Sequence, residues 1–348
     1  MAAPLLAALP RHSIVLVTGA NGFLASHICD HLLTYGFVPR GSVRSADKGE
    51  NIKRILDSRH PDKVKSSTSF QYVVIEDMSV EGAFDAAALG CAGIIHTASD
   101  TSFGSDVERI IPLQIRGINS ILETAKRTPT VRRVVVTSSS NVLTPRPGFG
   151  GTVTDKSWNH EVVTQAWNLS HFPEGVRGAI VYAAAKVCTE RAAWDFMATN
   201  KAKVHFELNC ILPNFNIGPL LDAESTTRTT GSWIRGIFRN PEMLDSLRTF
   251  PPQHMVDVRD VAKLHVAALA EEDVRGERLL AFSDPFSFND LIDVLVKLDS
   301  GKTWPEKIEG QLSDRRTFAK ERSLELLRRF GQDKFTSIDE SVSSCVRS

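Results

Sequence analysis

The sequence predicts an α/β fold, a doubly wound parallel sheet followed by a smaller, mainly helical C-terminal substrate lobe. Three observations carry that expectation. Short β-branched and aliphatic runs alternate with amphipathic helical patterns from Ser13 to Leu212, which is the rhythm of right-handed βαβ crossovers. The first run ends in a glycine turn that opens directly into a helix. Beyond Leu220 the strand rhythm stops and helical runs joined by short connections take over. The expected division is residues 1–219 for the sheet domain, with part of 141–180 lining the active site, and 220–348 mainly for the lobe, with some segments returning to the sheet.

A chain of 348 residues can bury a sizeable core. Lys plus Arg equals Asp plus Glu at 41 each, so no global field attracts nucleic acid or an anionic membrane. Five scattered cysteines without a Cys-x-x-Cys pair indicate neither a disulfide framework nor a zinc site, and reduced thiols suit the cytosol. The first ten residues are apolar but short and lack a basic segment, so a signal peptide is not expected. No apolar run approaches the length of a transmembrane helix.

The elements follow in order. Ile14 to Val17 reads as a buried strand and is followed by Thr18-Gly19-Ala20-Asn21-Gly22. Phe23, Leu24, Ile28, Leu32 and Leu33 then recur at helical steps, and Gly36 closes the segment. Glycines let the backbone turn tightly and approach a pyrophosphate, while the helix's unpaired N–H groups face the anion. Gly19-x-x-Gly22-x-x-Ala25, with Asn21, Phe23 and Leu24 in the same turn, is therefore read as a dinucleotide site of the Rossmann kind. Phe37 to Val43 is the second strand, with Pro39 tolerable near its start. Roughly 20 residues past the glycines the chain should meet the adenosine ribose. Arg44 stands there with Lys48 close behind, and a guanidinium suits a phosphate, so NADP is expected over NAD. The alternative is a pair of solvated surface charges.

Asn51 to Arg59 is expected to be helical and Phe70 to Ile75 a third strand. Asp77-Met78 follows it, where an acid can meet the adenine amino group or cap the next helix. Gly93 to Ala98 is the fourth strand, delivering Thr97, Ala98 and Ser99 to the edge where ligands collect; His96 there is read as structural. Asp106 to Arg127 is a long helix despite Pro112 and Gly117, and Arg133 to Thr137 a fifth strand running into Ser138-Ser139-Ser140. Those serines can form a capping turn or present a hydroxyl to a ligand. Asn141 to Arg177 has no period, and loops this long tend to be functional. In the helix from Val181 to Asn200, Tyr182 and Lys186 share one face, and the three alanines between them leave room for close approach. The sixth strand, Val204 to Leu212, closes in Pro213-Asn214-Phe215. Phe103, Trp158, Phe215, Trp233, Phe238 and Met243 are the apolar residues available for a substrate pocket. Helices are expected from Asp257 to about Glu272, and over Leu291 to Leu298, Leu324 to Phe330 and Ile338 to Val346.

The glycine turn, the serine run and Tyr182-x-x-x-Lys186, in this order, resemble the extended short-chain dehydrogenase/reductases, a group that includes the NAD-dependent epimerase/dehydratases. Val181 to Lys186, Glu190 to Trp194 and Leu212 to Gly218 are similar to the fungal NADPH-dependent aldehyde and carbonyl reductases and to plant dihydroflavonol and cinnamoyl-CoA reductases. The resemblance covers nearly the whole chain. It implies a catalytic trio of Ser139, Tyr182 and Lys186, with Ser138 and Ser140 flanking the serine. Thr137, Ser138, Pro213, Asn214 and Phe215 would face the cofactor together with Tyr182 and Lys186. Many relatives carry Asn-x-x-Gly-Thr where this chain has Gln114-Ile115-Arg116-Gly117-Ile118, which leaves that Asn's relay role unassigned.

The implied activity is NADPH-dependent reduction of an aldehyde or ketone to an alcohol. A free tyrosine has a pKa of about 10, and a nearby ammonium together with an oxidised nicotinamide should lower it. The competing readings are an NAD-dependent sugar epimerase or dehydratase and a non-catalytic nucleotide sensor. The partners expected are a small carbonyl substrate, no nucleic acid, no membrane and no metal, in a cytoplasmic monomer or homodimer.

Overall fold

A computed structural model describes residues 8–143, 150–222 and 229–348. The first half contains β1 (Ile14–Thr18), α1 (Phe23–Thr34), β2 (Val38–Val43), α2 (Ala46–Arg59), α3 (Pro61–Lys65), β3 (Gln71–Val74), α4 (Asp85–Ala88), β4 (Cys91–His96), α5 (Val107–Arg127) and β5 (Arg133–Thr137). Next come β6 (Gly151–Val153), α6 (Glu161–Ala166), α7 (Glu174–Thr199), β7 (Glu207–Pro213) and β8 (Phe215–Ile217). The remainder is α8 (Thr230–Arg239), β9 (Gln253–Asp257), α9 (Val258–Ala270), β10 (Arg278–Ala281), β11 (Pro285–Phe286), α10 (Phe288–Leu298), β12 (Arg316–Phe318), α11 (Glu321–Arg329) and α12 (Ile338–Arg347).

Seven strands form one sheet in the order β10-β7-β5-β4-β1-β2-β3, and every neighbouring pair is parallel. The chain builds outward from β1 through β2 to β3, then crosses back to β4 on β1's other side. That reversal opens a crevice at the C-terminal ends of β1 and β4, where Thr18 lies level with His96.

Alternation along the central strands explains the two helical layers. Leu16, Ile94, Val134 and Val136 enter the core shared with α5 and α7, while Val15, Val17, Ile95 and Val135 enter the core shared with α1 and α9. Strands buried on both faces read as continuous apolar runs, which is why their positions were legible. A third core, built from α8, α10, α12, β8 and β9, belongs to the lobe. Among the described residues no helix is long and apolar enough to cross a membrane, and no cluster of potential ligands could hold a metal ion.

Several boundaries differ from expectation. Helix α2 starts at Ala46 rather than Asn51, because Gly49 does not break it but gives Tyr72 room; a Cβ there would collide with the Tyr72 ring. Helix α7 starts at Glu174 rather than Val181, its first turns masked by Gly175 and Gly178. The 141–177 stretch contains β6 and α6 as well as loop. The alanines between Tyr182 and Lys186 lie buried in the core against which α5 packs, so what they admit is another helix rather than a ligand. In the C-terminal half, α9 and the unforeseen β10 return to the sheet.

Candidate active site

Thr18 organises the crevice. Its hydroxyl accepts the Thr97 and Ala98 N–H groups, each at 3.0 Å, and lies 3.0 Å from His96 Nδ1. Burial, with Lys186 nearby, lowers His96 to about 3, so the ring is neutral, and because the Thr18 oxygen already accepts two N–H groups its own proton is the one left for Nδ1. His96 thus makes a structural hydrogen bond, although it stands at the strand end where ligands collect. The Thr97 hydroxyl returns a bond to the Thr18 carbonyl, which locks the ends of β1 and β4 together.

The turn that follows is shaped for an anion. Gly19 has φ +67°, a conformation L side chains rarely adopt, and a Cβ there would meet Ala98 Cβ at 3.4 Å. Its N–H bonds Ser42 Oγ at 3.2 Å, and Ala20 N–H bonds the Ser42 carbonyl at 3.0 Å. Gly22 is the N-cap of α1 and supplies no side-chain cap. The first-turn N–H groups, those of Phe23 and Leu24 among them, receive no side-chain cap and point where an anion can approach. Tight backbone, small neighbours and an uncapped helix start fit a dinucleotide pyrophosphate. Asn21 lies within the same turn.

Arg44 is exposed just before Ser45, the N-cap of α2, and Lys48 is exposed within that helix's first turn. This places both cations, with a second helix N-terminus, beside the end of β2. Asp77 does not cap the next helix, which starts at Asp85 after Phe84; within a tight turn its carboxylate instead accepts Ser79 N–H at 2.8 Å and Ser79 O–H at 2.7 Å. Met78 packs toward Gly117 of α5. Ser99 donates to Gln114 Oε1 at 2.7 Å, so Gln114 anchors the loop after β4.

The three serines after β5 separate by partner. Ser138 donates to the buried Glu190 carboxylate, and Ser140 donates to Asn214 Oδ1 at 3.1 Å. Ser139 accepts the Asn141 N–H at 3.2 Å and hydrogen-bonds Tyr182. Ser139 is therefore the member of the run turned toward the phenol. Lys186 Nζ donates to the Thr137 carbonyl at 2.9 Å, and the Thr137 hydroxyl lies 2.7 Å from His265 Nε2. Ser140's bond brings Asn214, between Pro213 of β7 and Phe215 of β8, to the same edge.

Burial raises the Tyr182 phenol above its ordinary value, and Ser139 pulls it partly back. The expected lowering is absent from the protein alone, because desolvation outweighs the Ser139 hydrogen bond and Lys186 is not among the groups that act on the phenol. Burial lowers Lys186 to about 8, against the pull of Glu190 and Cys210.

The apolar candidates divide. The Phe103 ring lies 4.8 Å from the Tyr182 ring, on a loop seated on α7 at Gly178, where a Cβ would collide with the Phe103 carbonyl. Phe103 has φ +54° and stays 55% exposed. Phe215 and Trp233 both approach Phe250, at 6.5 and 6.3 Å, forming an aromatic run away from β8. Trp158 instead stacks on the Arg278 guanidinium at 4.0 Å, and Phe238 packs with Trp304 and Lys302. Met243 sits against Gly236, on the outer side of α8. Trp158 and Phe238 are thus engaged by packing partners of their own, and Met243 is exposed.

Two participants escaped sequence reading. His265 has no motif around it. Glu190 entered the sequence reading only within the stretch that carries the family resemblance, with no role assigned, and its partner Arg278 lies on the unforeseen β10.

Comparison with known proteins agrees with this geometry. Residues 16–169 match the model of the 3-beta hydroxysteroid dehydrogenase/isomerase family. The chain is 37% identical to aldehyde reductase 2 of Sporidiobolus salmonicolor over 98% of its own length and 97% of that protein's. It is 35% identical to the NAD-dependent epimerase/dehydratase terH of Aspergillus terreus, covering 98% of each. Yeast methylglyoxal/isovaleraldehyde reductase Gre2, solved with NADPH, superposes with a TM-score of 0.78 at 27% identity, over 96% of this chain and 97% of that one. The chain belongs to the extended short-chain dehydrogenase/reductases, alongside the fungal aldehyde and carbonyl reductases.

Proposed function

We propose that this protein reduces an aldehyde or ketone to the alcohol with NADPH, using Tyr182 as the proton donor. The observation that carries the reading is the meeting of Ser139, Tyr182 and Lys186 at the sheet edge that also bears the glycine turn. NADPH supplies the hydride. The turn at Gly19 to Leu24 holds the pyrophosphate, and Arg44 with Lys48 holds the 2′-phosphate.

Ser139 donates a hydrogen bond to the carbonyl oxygen, orienting it and stabilising the negative charge that develops there. Tyr182 transfers its phenolic proton to that oxygen. Its raised pKa keeps the proton in place until then, and the Lys186 ammonium stabilises the phenolate left behind. Phe103 and the Phe215 side of the lobe offer apolar, aromatic surface, which suits an apolar carbonyl compound. The named activities of the aldehyde reductase and of Gre2 support the same class. All five cysteines are free and four are buried, in keeping with our assignment of the protein to the cytosol as a monomer or homodimer.

Following NADPH absorbance with aromatic aldehydes, β-keto esters and α-diketones tests the proposal. Substrate-dependent oxidation of NADPH is expected. Tight NADPH binding with no turnover on any of them would favour a sensor, and turnover confined to NAD with nucleotide sugars an epimerase.

A further inference from the structure

Glu190 lies one helical turn beyond Lys186 on α7, as Lys186 lies one turn beyond Tyr182. It is only 1% exposed. One carboxylate oxygen accepts Arg278 Nε at 2.6 Å and Trp194 Nε1 at 3.2 Å, and the other accepts the Ser138 hydroxyl. Arg278 in turn donates to the carbonyls of Asp155 and Ser157, the latter at 2.9 Å, and stacks on Trp158.

An ion pair this deep contributes little net stability, because desolvating both charges offsets their attraction. Its position gives it another use. Ser138 stands between Thr137, whose carbonyl holds Lys186, and Ser139, which faces Tyr182. We infer that Glu190 is a positioning residue: through the Ser138 hydroxyl it fixes the turn after β5, and Arg278 ties that turn to the 155–158 segment. Besides this link, the turn is held by the backbone bond from Ser138 N–H to the Ile211 carbonyl and, two residues on, by the bond from Ser140 to Asn214. A hydroxyl and a carbonyl that must both meet groups on α7 then depend on one buried carboxylate. The inference rests on the reductase reading given above.

The test uses the full chain, with kcat and KM for a carbonyl substrate, NADPH affinity by fluorescence titration, and Tm. Ser138→Ala removes only the hydroxyl link. We expect kcat to fall roughly tenfold to a hundredfold, the scale of misplacing a reacting group, with NADPH affinity and Tm nearly unchanged. Two charge-free pairs then separate positioning from packing: E190Q/R278M keeps an acceptor for Ser138, and E190L/R278M does not. The first should retain most of the wild-type kcat, and the second should match Ser138→Ala. Wild-type kcat in Ser138→Ala would overturn the inference while leaving the reductase reading intact. Equal kcat in the two double variants would do the same, and if neither folds, Ser138→Ala decides alone. A wild-type protein that oxidises no NADPH with any carbonyl would sink the reading itself and this inference with it.

Discussion

The Lys186 ammonium donates to the Thr137 carbonyl across 2.9 Å, tying the last peptide of β5 to the middle of α7. Burial brings this lysine down to about 8 from its ordinary 10.5. Reduction needs Lys186 charged and Tyr182 protonated, and both conditions are lost as pH rises. We therefore expect kcat/KM for reduction to be level on the acid side of about 8 and to fall above it. A rate that climbs through that pH would contradict the assignment.

The same lysine makes a stability prediction. Its folded pKa lies below its unfolded one, so the unfolded chain binds more protons between about 8 and 10.5 and stability rises across that window. Stability is lost as pH falls back through about 8, where the buried ammonium must be carried. The cofactor-free Lys186→Met variant should melt no lower than wild type at neutral pH, with the difference shifting toward wild type as pH rises. Thermal melts at neutral and alkaline pH check this.

Arg44→Ala should weaken NADPH far more than NADH. Hydrogen bonds to charged groups contribute about 1.5–3 kcal/mol, which corresponds to roughly a tenfold to a hundredfold rise in KM for NADPH. Equal changes for the two cofactors would remove the phosphate contact from the account.

Phe103 holds φ +54° while its ring covers Tyr182. Phe103→Gly should relieve the backbone and leave Tm unchanged or higher. Removing the ring opens Tyr182 to water and should raise KM for aromatic carbonyls several-fold. Unchanged KM across aromatic and aliphatic substrates would detach Phe103 from the pocket.

What the sequence made legible was local or periodic. The β1 run, the Gly19 turn, the helix starts at Asp106 and Asp257 and the Tyr182, Lys186 pair could be read because their chemistry lies within a few residues. The caps are observed directly, with Asp106 accepting Arg109 N–H and Asp257 accepting Arg259 N–H. What escaped depends on pairing distant segments. Strand β10 is four residues long, too short to show a period, and it joins the sheet only because β7 offers an edge. The choice among Ser138, Ser139 and Ser140 needed Glu190 and Asn214, 52 and 74 residues away from Ser138 and Ser140. Trp158 had the composition of a pocket residue, but Arg278 on that unseen strand takes its face.

The most direct test is Tyr182→Phe, which removes one phenolic oxygen, assayed for NADPH binding by fluorescence and for carbonyl-dependent NADPH oxidation. The account predicts binding close to wild type and turnover reduced by about 10²–10⁴-fold, the contribution of a positioned proton donor. Turnover equal to wild type in a variant that binds NADPH normally would contradict it.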